Sequence, residues 1–131
     1  MCIATLCPGA CGVRPAETAE MSPAQYTATQ AERGRKIYRK SCAQCHGTTL
    51  ANGLFGAPLK GDYFREQWRG RPVAALHAVA HYTMPPEAPA SLSAAQISDL
   101  VALILAENGL APGVRELPSE IEELGKITLF R

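Results

Sequence analysis

One run of five residues, Cys42-Ala43-Gln44-Cys45-His46, has the residue types and the spacing to do chemistry. Two cysteines three residues apart lie on one side of a helical turn, where their sulfurs can form thioethers with the two vinyl groups on one edge of a haem. The histidine that follows then lies under the iron as an axial ligand. Because Cys-x-x-Cys-His is the attachment signal for c-type haem, the sequence predicts one covalent haem c. Cys42 and Cys45 would attach it, and His46 would ligate the iron.

Two other sites are compatible with the same five residues. A redox-active Cys-x-x-Cys usually opens a helix that follows a strand, and no strand is predicted before Cys42. A structural zinc site needs about four ligands, and the chain has no second Cys/His pair with zinc-finger spacing. Haem is therefore the favoured ligand.

A low-spin electron carrier needs a second axial ligand. The candidates are the three methionines and the two remaining histidines: Met1, Met21, Met84, His77 and His81. We favour Met84, because Pro85 and Pro86 follow it and stiffen the segment that would hold its thioether toward the iron. A Met/His ligand pair also raises the reduction potential. His77 and His81 lie four residues apart on one predicted helix face and are interpreted as surface residues or neighbours of the haem carboxylates.

Four further side chains are candidates for contacts with the haem edge or its carboxylates: Tyr63, Trp68, Arg69 and Arg71. Trp68 and Arg71 are taken as cofactor-binding, because indole and guanidinium groups donate readily to carboxylates. The alternative is a core aromatic beside solvated arginines. His46 should also donate its other ring nitrogen to an acceptor, for which a carbonyl in Gly56-Ala57-Pro58 is the candidate.

Helices are predicted on both sides of this motif. Thr29-Gln30-Ala31-Glu32 has the spacing of a capping box and predicts a helix to about Ser41, with Gly34, Ile37 and Tyr38 facing inward. Glycine costs about 1 kcal/mol inside a helix, so we expect another helix to approach Gly34 closely. Ser93-Ala94-Ala95-Gln96 is a second capping box. Five apolar residues at helical spacing follow it, and Gly109 ends the helix: Ile97, Leu100, Val101, Ile104 and Leu105.

The middle of the chain predicts shorter helices. One has Pro72 in its first turn, places Val73, Leu76, Val79 and Ala80 inward, and ends before Met84, where the prolines forbid continuation. Residues 62–70 predict a short helical segment, and residues 47–61 predict a loop. No segment alternates with a two-residue period, so the fold class is all-α.

Composition and charge limit the function. A chain of 131 residues suits one domain. Its net charge of +1 argues against nucleic-acid binding, and no apolar run approaches the roughly 18 residues of a membrane span. Nine Lys/Arg lie between Arg33 and Arg71 against two acids, whereas seven acids follow from Glu87 onward. The positive half can steer an acidic partner, and the alternative is an ordinary solvated helix face.

The N-terminus contains the other three cysteines, Cys2, Cys7 and Cys11. Residues 1–13 are uncharged and mostly small or apolar, which is typical of a secretory signal remnant with a cleavage site at Ala10-Cys11-Gly12. Lipid attachment at Cys11 is an alternative, and so is a tail without a role. Residues 14–27 are interpreted as linker.

The sequence resembles class I bacterial cytochromes c, in particular the small monohaem cytochromes that serve quinoprotein dehydrogenases. The resemblance covers about residues 28–110. It rests on Gly34 and Tyr38, the Cys42–Gly47 motif, Ala57-Pro58-Leu59-Lys60-Gly61, Thr83-Met84-Pro85-Pro86 and Glu107-Asn108-Gly109. One departure is Val101-Ala102-Leu103-Ile104, where the family often has an aromatic residue facing the Gly34 region.

The resemblance implies a fold of three to five helices with crossed first and last helices around one haem c. It implies that Cys42 and Cys45 carry the haem, that His46 and Met84 ligate its iron, and that the carbonyl of Pro58 accepts from His46. It further implies an exported, periplasmic electron carrier without catalytic residues, a domain at 28–110 and a tail at 111–131. Its redox partners would be a quinoprotein dehydrogenase or a terminal oxidase. The alternative function is a haem sensor or peroxidase-like enzyme with a displaceable methionine ligand.

Overall fold

The computed structural model describes residues 22–131, and within this range the chain forms six helices. They are α1 (Ala28–Ser41), α2 (Ala43–His46), α3 (Asp62–Trp68), α4 (Val73–Thr83), α5 (Ala94–Glu107) and α6 (Ile121–Leu124). The described strands are one parallel pair, β1 (Ser22–Pro23) and β2 (Ile127–Thr128). The predicted all-α class is confirmed. The expectations for Met1, Met21, the signal remnant and the three N-terminal cysteines lie outside the described residues.

The N-cap of α1 lies two residues before the predicted one. The Thr27 hydroxyl accepts from the backbone N–H of Gln30 at 3.1 Å, so Thr27 rather than Thr29 is the N-cap. The predicted box at Thr29 is wrong because Thr29 lies inside α1, and Glu32, its expected partner, pairs with Arg35 instead. The inward residues are as predicted, with Gly34 and Tyr38 buried and Ile37 packed against the core.

Helices α1 and α5 cross in direct backbone contact at Gly34. A Cβ at this position would lie 2.0 Å from the backbone oxygen of Asp99 and 3.1 Å from the nitrogen of Leu100. The expected close approach at Gly34 is confirmed. Every residue of α5 from Ile97 to Leu105 is buried, so the helix that α1 crosses lies in the centre of the core.

The predicted ends of α5 are confirmed. Ser93 and Gln96 exchange both hydrogen bonds of a capping box. Gly109 follows the last turn with a φ of 86°, a conformation that glycine adopts without strain. These two signals fix the length of the helix from the sequence alone.

Helix α4 is rotated slightly from its predicted orientation. Val73 and Leu76 are buried as expected, but Val79 is 46% exposed and His77 is buried in its place. Residues 73, 76, 77 and 80 share one face at 3.6 residues per turn, and residue 79 lies at the edge of that face. Pro72 precedes the helix as its N-cap rather than lying in its first turn.

Segments on both sides of the central helices complete the core. Ala24 and Tyr26, in the predicted linker, are buried, as are four residues of the predicted tail: Leu117, Leu124, Leu129 and Phe130. The Gln30 side chain donates to the carbonyl of Leu117 and accepts from its N–H, at 3.0 and 2.8 Å. Residues on both sides of the predicted domain boundaries at 27/28 and 110/111 thus share one core. The boundaries themselves stay a prediction.

The longest helices among residues 22–131 have 14 residues. None of the described helices combines the length and the apolar character that crossing a bilayer requires.

Candidate haem-binding site

The five-residue motif forms a single tight turn at the end of α1. The backbone N–H of Cys42 donates to Tyr38 and closes α1, and the carbonyl of Cys42 then accepts from Cys45 and His46 at 3.2 and 3.0 Å. Cys42 and Cys45 are half-buried free thiols at the two ends of this turn. The backbone of the motif is therefore helical from Ala43 to His46.

The thiol chemistry of this turn argues against a redox dithiol. Burial, with a smaller contribution from the neighbouring Cys45, raises the pKa of the Cys42 thiol to about 11. A redox-active Cys-x-x-Cys lowers the pKa of its attacking cysteine instead. The segment that leads into Cys42 is also helix α1 rather than a strand, so neither condition for a thioredoxin-like site is met.

The imidazole of His46 is held by one backbone hydrogen bond. Its Nδ1 lies 2.7 Å from the carbonyl oxygen of Ala57. A carbonyl only accepts, so Nδ1 carries the proton and Nε2 keeps its lone pair for a metal. The acceptor is thus Ala57, and the expectation that the carbonyl of Pro58 accepts from His46 is wrong by one residue. The loop turns so that the carbonyl before the proline faces the ring.

Two glycines let the 47–61 loop lie directly on the motif. A Cβ on Gly56 would lie 2.6 Å from His46 Nδ1 and 2.9 Å from Cε1, and a Cβ on Gly53 would lie 2.1 Å from the Cys45 carbonyl oxygen. The N–H of Gly56 donates to that same carbonyl at 2.8 Å. From the sequence, both glycines are expected only to lie in a loop, and nothing local in the sequence indicates this close approach to the motif.

Met84 directly follows α4 as its C-cap. Its N–H donates to the carbonyl of Ala80 at 3.2 Å, its backbone is extended and its side chain is half-buried. The next residues form a turn, closed by a bond from Ala88 to Pro85, and Ala90 donates to the carbonyl of His81. The Met84 segment is therefore tied back to the end of α4. Ligation by its sulfur stays a prediction.

The side chains of Trp68 and Arg71 pack against each other at the end of α3. The guanidinium carbon of Arg71 lies 4.3 Å from the centre of the indole ring, which is within cation–π range. Trp68 also packs on Phe64, with ring centres 6.1 Å apart. The other two candidates have different partners. Arg69 forms an ion pair with Glu66. Tyr63 is exposed, and its hydroxyl accepts a hydrogen bond from Gln67. Trp68 and Arg71 remain the predicted haem-edge residues.

The two other histidines stack on each other in α4, with ring centres 6.0 Å apart. His77 is buried, and its Nε2 lies 2.9 Å from the carbonyl oxygen of Ala94. Burial is the main cause that lowers the pKa of His77 below its ordinary value. Its interpretation as a surface residue is wrong, because it bridges α4 to the start of α5.

The donor set of the motif fits a haem better than zinc. Among residues 22–131, no three His, Cys, Asp or Glu side chains come together as metal ligands. Two thiols and one oriented imidazole fit haem, because its porphyrin nitrogens would supply the other iron ligands and the thiols would serve for attachment. Five of the seven large apolar side chains that the described chain exposes also lie between His46 and Met84 in the sequence: Leu54, Phe55, Tyr63, Val79 and Tyr82.

Comparison with known proteins agrees with this geometry. A family model described as "Cytochrome C oxidase, cbb3-type, subunit III" matches residues 29–104, from the start of α1 into the last turn of α5. No curated protein and no solved structure matches the chain. The matched range contains the haem motif, the loop on His46, Met84 and the α1–α5 crossing, and covers more than half of the chain. The protein therefore belongs to this family and is a class I c-type cytochrome.

Proposed function

We propose that this protein is an exported electron carrier with one haem c. Cys42 and Cys45 attach the haem through thioethers, and His46 and Met84 ligate its iron. The observation that carries this proposal is the Cys42–His46 turn, in which the bond to Ala57 fixes the imidazole and leaves Nε2 for the iron. Family membership supports haem-based electron transfer in general, because cytochrome c domains bind haem c and exchange electrons with redox partners.

Each residue of the proposed site has a task that needs no proton transfer. The haem supplies the one-electron iron couple. The Ala57 carbonyl would hold His46 in the tautomer that carries its proton on Nδ1. The Met84 thioether carries no proton, and a Met/His pair raises the reduction potential. Arg71, placed over Trp68, would donate to a haem carboxylate. The chain thus supplies attachment and fixed ligands, and we assign no catalytic residue.

The partners we propose are a dehydrogenase as donor and a terminal oxidase as acceptor, both outside the cytoplasm. Support for the oxidase comes from the family description, which names a subunit of a cbb3-type cytochrome c oxidase. Support for export comes from the family, whose domains typically function after export, and from the small, uncharged residues 1–13. Members of the family are generally electron carriers rather than enzymes. A role as the acceptor subunit of a periplasmic dehydrogenase fits the same site.

The test of covalent attachment uses full-length protein that is exported and matured in a host with haem-attachment machinery. Mass spectrometry after denaturation should show one haem bound to the wild type and none bound to the Cys42→Ser/Cys45→Ser variant. The visible spectrum of the reduced wild type should be low-spin. Wild-type protein without covalent haem, under conditions that mature a known c-type cytochrome, would refute the proposal.

The sixth ligand is tested by replacing Met84. The Met84→Ala variant should keep its covalent haem and lose the weak methionine–iron absorption band of the oxidised protein. Met21→Ala is the matched control, since it replaces another candidate ligand, and its band should persist. If the band is lost in Met21→Ala instead, Met84 is not the ligand. Rapid carbon monoxide binding by the reduced wild type would favour the sensor or peroxidase alternative.

A further inference from the structure

A buried side-chain amide joins the end of α5 to the loop that carries the acceptor of His46. Asn108 is 7% exposed. Its Nδ2 donates to the carbonyls of Leu59 and Ile104, at 2.9 and 2.8 Å, and its Oδ1 accepts from the N–H of Gly61 at 3.1 Å. Both hydrogens and the oxygen of this amide are therefore bonded, as a buried amide requires.

Helix capping explains only one of these three bonds. The bond to Ile104 stays within α5, where Asn108 is the C-cap, and Gly109, with a φ of 86°, already ends the helix. The bonds to Leu59 and Gly61 instead cross 49 and 47 residues of sequence and hold two backbone groups of one loop. These two bonds, here called the Asn108 clasp, are not needed to end a helix.

The loop between His46 and α3 needs a hold of this kind because its middle is exposed. Ala57, whose carbonyl lies 2.7 Å from His46 Nδ1, and the following Pro58 are both exposed, so packing does little to fix them. On one side, the N–H of Gly56 fixes the loop through its bond to the carbonyl of Cys45 at 2.8 Å. A second fixed point must lie on the other side of the acceptor.

That second point is Leu59. Its N–H donates to the carbonyl of Leu50 at 2.7 Å, and its own carbonyl accepts from Asn108. Only Pro58, whose ring fixes φ, separates Leu59 from Ala57. The direction of the Ala57 carbonyl therefore depends on where Leu59 is held.

We propose that Asn108 is a positioning residue for the axial imidazole, because its clasp holds the loop that directs the Ala57 carbonyl at His46 Nδ1. This rests on the proposed function, in which His46 ligates the haem iron. A hydrogen bond from the outer ring N–H raises the basicity of the ligating nitrogen, and such bonds are one of the means by which a protein tunes a haem potential. Loss of the clasp should weaken the bond, reduce electron donation by Nε2 and raise the reduction potential.

The test compares two variants of the full-length, haem-bearing protein, Asn108→Leu and Gln30→Met. Leucine has the same number and branching of side-chain heavy atoms as asparagine, and it removes the clasp without adding charge. Gln30 is the matched control, because it is another buried amide that bonds twice to a distant segment, at Leu117. The readouts are the solvent exchange rate of the His46 Nδ1–H, measured by NMR on the reduced protein, and the potential from a mediated redox titration.

In Asn108→Leu, the His46 Nδ1–H should exchange roughly tenfold faster or more than in the wild type, because buried bonds lose their partner and the segment opens more often. The reduction potential should become more positive. In Gln30→Met both values should stay at those of the wild type. Equal acceleration in both variants would show a general loss of stability, and no acceleration in Asn108→Leu would show that other contacts hold the loop. Either result overturns the proposal.

A measurement on the wild type keeps the proposal testable if Asn108→Leu does not fold. The N–H of Gly61 reports opening of the clasp, since it is bonded to Asn108 Oδ1, and the N–H of Leu117 reports the contact with Gln30. The His46 Nδ1–H and the Gly61 N–H should open with the same free energy and the same dependence on denaturant, and both should differ from the Leu117 N–H. Opening of the His46 bond independently of Gly61 overturns the proposal.

Failure of this proposal is distinguishable from failure of the proposed function. The mass after denaturation and the visible spectrum of each protein are recorded before the exchange measurement. Wild-type protein without covalent haem refutes the electron-carrier function. Haem-bearing Asn108→Leu with unchanged exchange at His46 refutes only the positioning role of Asn108.

Discussion

Replacement of Gly56 by alanine is the sharpest test of how His46 is held. The new Cβ would lie 2.6 Å from Nδ1, about 0.8 Å inside the 3.4 Å at which ordinary contact begins. The ring cannot move away freely, because Nδ1 is bonded to the Ala57 carbonyl at 2.7 Å and the Gly56 backbone is bonded to Cys45 at 2.8 Å. Overpacking of this kind costs about 1–3 kcal/mol of unfolding free energy.

The assays are guanidinium and thermal unfolding of the haem-bearing protein, each followed by far-UV circular dichroism. At about 4 °C per kcal/mol for a chain of this size, the midpoint of thermal unfolding should fall by about 4–12 °C. Gly113→Ala is the matched control, because its nearest neighbours would lie 3.8 Å from the new Cβ, and its stability should change by less than about 0.5 kcal/mol. If Gly56→Ala is as stable as the wild type, the loop does not hold the His46 ring as described.

Two further predictions concern the core and its pH dependence. Leu129→Ala should lower the unfolding free energy by about 2–5 kcal/mol, because Leu129 is fully buried, whereas Val114→Ala, at a position that is 94% exposed, should have almost no effect in the same denaturant titration. Burial lowers the pKa of His77 below its ordinary value of 6.5. Below about pH 6.5 the unfolded chain therefore binds a proton that the folded protein does not, and stability should fall with decreasing pH. Unfolding free energies measured between pH 7 and 5 should decline less steeply in His77→Gln, and equal slopes would contradict the assignment.

Helix α5, the close approach at Gly34 and the haem motif could be predicted from the sequence, because residues near each other in the chain specify each of them. The capping box at Ser93, the apolar period of α5 and the stop at Gly109 act within a few residues of each other, so the helix can be located without knowledge of its neighbours. Gly34 is similar, since its cost inside a helix indicates that another backbone lies close by. The haem motif is also local, because its turn spans five residues.

Errors of one or two positions arose where neighbouring residues offer the same chemistry. Thr27 and Thr29 both can cap a helix, and the choice between them depends on where Tyr26 is buried and where Glu32 finds a partner. The carbonyls of Ala57 and Pro58 are adjacent acceptors, and the close packing of Gly56 against His46 decides which of them faces the ring.

The packing of the C-terminal segment, residues 111–131, could not be predicted from local sequence patterns. Its residues have no helical period, yet Leu129 and Phe130 are buried. The N–H of Leu129 donates to Arg71 and its carbonyl accepts from Gly70, both at 2.8 Å, while Phe130 packs edge-on against Phe64. These contacts join positions about 60 residues apart in sequence, so a pattern read over one or two turns does not contain them. Because this segment holds the turn next to Trp68 and lies beyond residue 104, where the family match ends, the surroundings of the proposed haem edge depend partly on residues that are not in the family match.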